Sequence, residues 1–161
     1  MPMLRLICFV ILTTHCMVLP VFAAEKSYTA ILKGSNEVPA IRTKATGKVT
    51  FMLSDDNKTL TYRVHLKNIK NPTSAHIHRG KKGENGPPLV NIYPNLARKG
   101  QFFGIIFSGT ITPDNFCGEL LGKSTFDLIQ LINAKNTYIT IHTDDNPKGV
   151  IRGQIKQNKS I

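Results

Sequence analysis

The stretch that decides the fold is GKVTFMLSDDNKTLTYRVHLKNI, residues 47–69. Apolar and polar residues alternate on both sides of the polar turn at 55–59, and a period of two is typical of strands with one buried face. The residues that share the apolar face are Val49, Phe51, Leu53, Leu60, Tyr62, Val64 and Leu66. The stretch therefore predicts an antiparallel β-hairpin.

Other strand-like segments lie on either side of this hairpin. They are SYTAILKG (27–34), GIIFSGTI (104–111), TYITIHT (137–143) and GVIRGQI (149–155). Strong helical periodicity occurs once, near residues 124–135, where Ser124 and Asp127 have the spacing of a capping box. The expected fold class is all-β: an immunoglobulin-like antiparallel β-sandwich or a partly open barrel with one short helix.

The first 23 residues have the pattern of a secretory signal peptide. Arg5 is followed by an apolar run, and Pro20 precedes a cleavage site after Ala23. The alternative, a membrane anchor, needs about 20 continuous apolar residues, and polar residues at 13–15 interrupt the run. Cleavage would leave residues 24–161 as one secreted or periplasmic β domain without a transmembrane segment.

The chain is basic. It holds 21 Lys and Arg against 10 Asp and Glu, for a formal charge of +11, and loss of Arg5 would leave 20 − 10 = +10. Such a balance suits anionic membrane surfaces or acidic glycans, although a merely solvated basic surface is the plainer alternative. Nucleic acid is not expected, because the basic residues are not interleaved with aromatic stacking platforms.

The histidines form the candidate site. In AHIHR (75–79), His76 and His78 lie on the face opposite Ile77, and in TYITIHT, His142 lies on the face opposite its apolar neighbours. Imidazoles two residues apart have Cβ atoms about 7 Å apart and can converge on one ion. We therefore predict a copper or zinc site at His76, His78 and His142, with His65 as a weaker candidate. The alternative is that these side chains only hydrogen-bond to nearby loops.

The C-terminal hairpin can be predicted from the alternation of its strands. In an antiparallel hairpin, the residue numbers of each facing pair add up to the same sum. The apolar residues of the two strands share a face only if that sum is even, such as 294 or 296. The connection then needs an odd number of residues, expected to be three or five, or a bulge with Gly149 at positive φ. Either arrangement places Arg152 on the histidine face, where an ion pair with Asp144 or Asp145 is expected.

Three segments carry a resemblance to a known family. SNEVP (35–39), AHIH (75–78) followed by NGP (85–87), and YITIHTDDNPKGVIRGQI (138–155) occur in the order and spacing of the CHRD domain. Together they make the chain similar to a single-domain, secreted bacterial member of that family. The resemblance implies an immunoglobulin-like β fold and an extracytoplasmic role, and it implies no established catalytic activity.

Two classes of function stay open at this point. The first is a secreted, non-enzymatic binding module that recognises a protein, a glycan or an envelope surface. The second is an envelope protein that binds copper or zinc through the histidines, with weak redox activity as an option. No catalytic residues are predicted, because neither a paired-carboxylate site nor a nucleophile motif is evident.

Overall fold

The computed structural model of the protein describes residues 26–93 and 99–159. The expected signal peptide, residues 1–23, lies outside the described residues. Within these two ranges the chain forms nine strands: β1 (Ser27–Lys33), β2 (Thr46–Leu53), β3 (Leu60–Lys70), β4 (Pro72–Arg79), β5 (Pro88–Tyr93), β6 (Gln101–Ile111), β7 (Thr137–Thr143), β8 (Ile151–Gln154) and β9 (Lys156–Gln157). Helix α1 spans Thr125–Asn133, and short 3-10 turns occupy Gly34–Asn36, Pro113–Asn115 and Gly118–Leu120.

The strands form one antiparallel sheet that curls into a half-barrel. Its order is β5-β4-β7-β8-β1-β2-β3-β6, and β9 pairs with β1. The all-β prediction is thus confirmed, in the form of the partly open barrel. Among the described residues, no helix is long and apolar enough to span a membrane.

The hairpin at 47–69 forms as predicted. Leu53 pairs with Leu60, and Phe51 pairs with Tyr62, so the apolar residues of β2 and β3 lie on one face. These side chains are buried in the core. Burial of each large apolar side chain contributes roughly 1.5–3 kcal/mol, which is why alternation alone determines the register here.

Helix α1 is also where the sequence predicts it. The Ser124 hydroxyl and backbone N–H both donate to Asp127 Oδ2, at 2.7 and 2.9 Å. This capping box satisfies polar groups that the first turn would otherwise leave unpaired. Leu128, Ile129 and Ile132 bury the other side of the helix against the core.

In the C-terminal hairpin the residue numbers of facing pairs add up to an even sum, as predicted, but the register differs from the expected one. Ile141 faces Ile151 and Thr140 faces Arg152, a sum of 292 rather than 294 or 296. The connection between the paired residues is longer than the three or five residues expected, because residues 142–150 lie beyond the last pair. Gly149 adopts φ +123°, as anticipated for a bulged turn.

Arg152 faces the histidine side of the sheet, but its expected ion pair is wrong. Asp144 pairs instead with Lys99, at 2.7 Å. Arg152 as a whole residue is 2 % exposed, and its guanidinium donates to carbonyls of the loop at 80–87. The outward faces of β7 and β8 are therefore buried under loops, and alternation within a strand does not reveal such a covering.

Candidate metal centre

The three predicted histidines come together on the outer face of β4 and β7. Strand β4 carries His76 and His78, and the pairing of Ser74 with His142 places His142 diagonally across from His76. His76 Nδ1 lies 3.0 Å from His142 Nε2. One ligand atom from each ring lies within 4.8 Å of those of the other two.

These separations can be compared with the distances between nitrogen atoms that bind the same metal ion. Metal–nitrogen bonds of about 2.0–2.1 Å place ligand atoms roughly 3.3–3.6 Å apart in tetrahedral or trigonal geometry. The contact between His76 and His142 is already this short. The longest separation, 4.8 Å, would have to shorten by roughly 1 Å for all three nitrogens to share one ion.

Two backbone carbonyls orient the rings. The Gly86 carbonyl accepts from His78 Nδ1, and the Pro147 carbonyl accepts from His142 Nδ1, each at 2.9 Å. A carbonyl can only accept, so both Nδ1 atoms carry the proton and both Nε2 atoms keep a lone pair. Metal-binding histidines commonly have this second hydrogen bond.

His78 Nε2 is the clearest sign of a missing partner. It is buried and makes no hydrogen bond within the part of the chain that the structure describes. A buried polar atom without a partner costs about 1–3 kcal/mol. An ion shared with the other two histidines would satisfy this nitrogen.

The cluster favours neutral rings. Burial, together with the neighbouring His142 and His78, lowers the pKa of His76 to about 4. Burial likewise lowers the pKa of His78 and of His142, although their carbonyl partners act in the opposite direction. Neutral imidazoles have the lone pairs that metal binding requires.

A stack of side chains supports His78. Its ring lies parallel to that of Tyr138, with centroids 5.2 Å apart. The Arg152 guanidinium covers the Tyr138 ring at 3.3 Å from the centroid, close enough for a cation–π contact. The stack links the histidine cluster to the neighbouring strand β8.

Arg152 also holds the loop that carries Gly86. Its guanidinium donates to Asn85 Oδ1 and to the carbonyls of Lys81 and Glu84, at 3.0, 3.0 and 2.6 Å. Gly86 itself has no room for a side chain, because a Cβ would lie 2.0 Å from the Arg79 carbonyl oxygen. Arg152 thus positions the carbonyl that orients His78.

An open cleft of about 520 Å³ borders His78. Glu37 lies along it, accepting from the Thr140 hydroxyl at 2.7 Å. Burial raises the pKa of the Glu37 carboxyl, while its bond to Thr140 and the charge of Arg152 lower it. The cleft provides a path from solvent to the edge of the cluster.

The structure separates His65 from the other three. It lies on β3, between Lys48 of β2 and Ile105 of β6, across the sheet from β4 and β7. Sequence reasoning missed the supporting roles of Tyr138, Asn85 and Gly86. Alternation places Tyr138 on the face of His142 and NGP is a turn signal, but neither pattern shows a contact.

The curled antiparallel sheet with its one helix defines an all-β domain. The family model described as CHRD domain matches residues 28–155. The chain therefore belongs to the CHRD domain family, and membership supports a binding-module type of function. A comparison with curated proteins gives no match.

Proposed function

We propose that this chain is an extracytoplasmic, non-enzymatic binding protein whose ligand is a copper or zinc ion held by His76, His78 and His142. The observation that carries the proposal is the convergence of three imidazoles, two of which donate Nδ1–H to backbone carbonyls. That arrangement leaves the Nε2 atoms of His78 and His142 with lone pairs for an ion. Loop anchoring alone would not require the three rings to meet.

The extracytoplasmic location rests on the signal-like segment at 1–23 and on the family. Imidazole nitrogen suits both copper and zinc, so the ligand set does not select one of them. In the metal-free protein, His76 Nδ1–H donates to His142 Nε2, since the His142 ring carries its proton on Nδ1. An ion would replace this hydrogen bond with two metal–nitrogen bonds.

Isothermal titration calorimetry tests the proposal on untagged protein comprising residues 24–161. We expect one Zn²⁺ or Cu²⁺ per chain, and we expect His142→Asn or His78→Asn to weaken binding more than about 100-fold. The loss should exceed the 10–100-fold that a supporting residue costs. His65→Asn is the matched control and should leave the affinity unchanged, because His65 lies away from the cluster.

Thermal unfolding gives a second readout. An ion that binds only the folded chain stabilises it by about 2.7 kcal/mol at a free concentration of 100 times Kd, and EDTA should reverse the shift. No binding of either ion, or binding that survives in H76N/H78N/H142N, would contradict the proposal.

Recognition of an envelope surface, the other function left open by the sequence, concerns a different part of the molecule. The metal cluster occupies the β4–β7 half of the sheet. The outer face of the β1-β2-β3-β6 half instead carries exposed Lys and Arg side chains.

A further inference from the structure

The outer face of β1, β2, β3 and β6 is here called the basic face, and the residues that the structure describes leave most of it uncovered. Its exposed cations are Lys33, Lys48, Arg63, Lys67 and Lys70. None of the four strands contains an acidic residue. The ion pairs found among the described residues, Arg79–Glu119 and Lys99–Asp144, involve none of these cations.

The register spreads the cations across the face. Lys33 and Lys67 both flank Thr46, and the row next to them runs from Ile31 through Lys48 to His65. Neighbouring strands are about 4.8 Å apart, so Lys33 and Lys67 lie on the order of 10 Å apart. Cations at this spacing repel one another, and an anionic surface would remove that repulsion.

Large apolar side chains project from the same face. Phe103 and Ile105 are 64 % and 63 % exposed on β6, the last strand in the sheet order. Ile105 lies beside His65, and Phe102, next to Phe103, packs against the core. Ile31 and Met52 add exposed apolar area on β1 and β2.

From this combination we propose that the basic face docks on an anionic lipid surface. Dispersed Lys and Arg side chains match anionic headgroups, and Phe and Ile side chains gain free energy by entering the boundary with the acyl chains. A soluble acidic polysaccharide would match the cations alone. The docking does not depend on the metal site, because its residues lie on different strands from the histidine cluster.

Co-sedimentation with lipid vesicles tests the inference, using untagged residues 24–161. We expect at least tenfold stronger binding to vesicles with 30 % phosphatidylglycerol than to pure phosphatidylcholine, with binding reduced by salt. The variant K48Q/K67Q should lose about 25-fold, at roughly fivefold per cation. Phe103→Ser should lose about tenfold, because it removes a large apolar group from the contact.

Matched controls lie near helix α1. Phe126 is 61 % exposed, close to the value for Phe103, but it neighbours Asp127. Phe126→Ser and K123Q/K135Q should bind anionic vesicles as the unaltered chain does. Because all the altered side chains are exposed, each variant should keep its thermal stability and its metal affinity.

Three outcomes would overturn the proposal. One is equal binding to both kinds of vesicle. Another is an equal loss in the helix controls, which would indicate a non-specific charge effect. The third is binding to heparin with no effect of Phe103→Ser on either ligand, which would identify the face as a site for acidic polysaccharide. A failure of metal binding would leave this result unaffected.

Discussion

At the scale of single residues, Arg152 has the greatest influence on the site. Its side chain is almost fully buried, yet within the described part of the chain its guanidinium donates to an amide and to two backbone carbonyls rather than to a carboxylate. Burial lowers the pKa of the guanidinium, and the charges of Tyr138, Glu37 and Glu84 act in the opposite direction. Carbonyl and amide oxygens of one loop satisfy the cation, so its role is to hold that loop in place.

We predict that Arg152→Met destabilises the protein by about 2–4 kcal/mol, because it leaves the Lys81 and Glu84 carbonyls without their donor. Arg152→Lys should give a smaller loss, since a lysine keeps the charge but cannot make the forked contact. Urea unfolding measures both. Arg63→Met, on an exposed strand position, is the control and should stay within about 0.5 kcal/mol of the unaltered chain. Equal stability of R152M and R63M would contradict this role.

At the scale of elements, the turn between β7 and β8 sets the position of His142. The Pro147 carbonyl that orients the ring belongs to this turn, and Gly149 closes it at φ +123°. A Cβ on Gly149 would lie 2.5 Å from Thr140 Oγ1 and 2.8 Å from Glu37 Oε1. The turn therefore requires glycine both for its backbone conformation and for the close approach of these two side chains.

Gly149→Ala should destabilise the protein by more than about 3 kcal/mol. The left-handed backbone contributes about 1–2 kcal/mol of this loss, and the overlap with Thr140 and Glu37 adds the remainder. Gly83→Ala separates the two effects, because Gly83 has φ +84° and open space around its Cβ position. Chemical denaturation should show a loss of only about 1–2 kcal/mol for G83A. If G149A and G83A lose similar amounts of stability, the close approach of Thr140 and Glu37 to Gly149 does not contribute to the loss.

At the scale of the whole molecule, the two halves of the sheet have outer faces of different composition. The β4–β7–β8 half is covered by loops and encloses the histidine cluster, whereas the β1-β2-β3-β6 half presents cations and apolar side chains. The histidine cluster and the exposed cations lie on the outer face of the sheet, and the side chains of the inner face pack into one continuous core. The histidine cluster and the basic face therefore both lie on the side of the sheet away from the core.

The histidine cluster makes the folding equilibrium depend on pH. The folded-state pKa of His76 is about 4, below its ordinary value of 6.5, and the pKa values of His78 and His142 are also lowered. At a pH between about 4 and 6.5, the unfolded chain therefore binds more protons than the folded chain. In EDTA, stability should be highest above pH 6.5 and should fall as the pH is lowered from 6.5 towards 4.

Thermal melts at pH 7 and pH 4.5 measure this effect. H76N/H78N/H142N should show a smaller difference in Tm between the two pH values, because the three rings whose pKa values are lowered by folding are then absent. His65→Asn should keep the full difference. A triple variant with an unchanged pH dependence would show that the cluster does not control it.

The sequence by itself determined the elements and the faces of the strands. Alternation in residues 47–69 was enough to predict the β2–β3 hairpin, and the Ser124–Asp127 spacing was enough to predict α1. Alternation also placed His76, His78 and His142 on the face away from the core. These features depend on near neighbours in the chain, through local hydrogen bonds and the period of the apolar residues.

Only the tertiary structure decided what covers those faces and what lies across them. The 3.0 Å approach of His142 to His76 depends on the pairing of strands that are 66 residues apart in the chain. The burial of Arg152 depends on a loop about 70 residues away, and the expected partner Asp144 pairs with Lys99 instead. Such contacts follow from how the sheet curls and where its loops fold back, and the period of one strand does not contain that information.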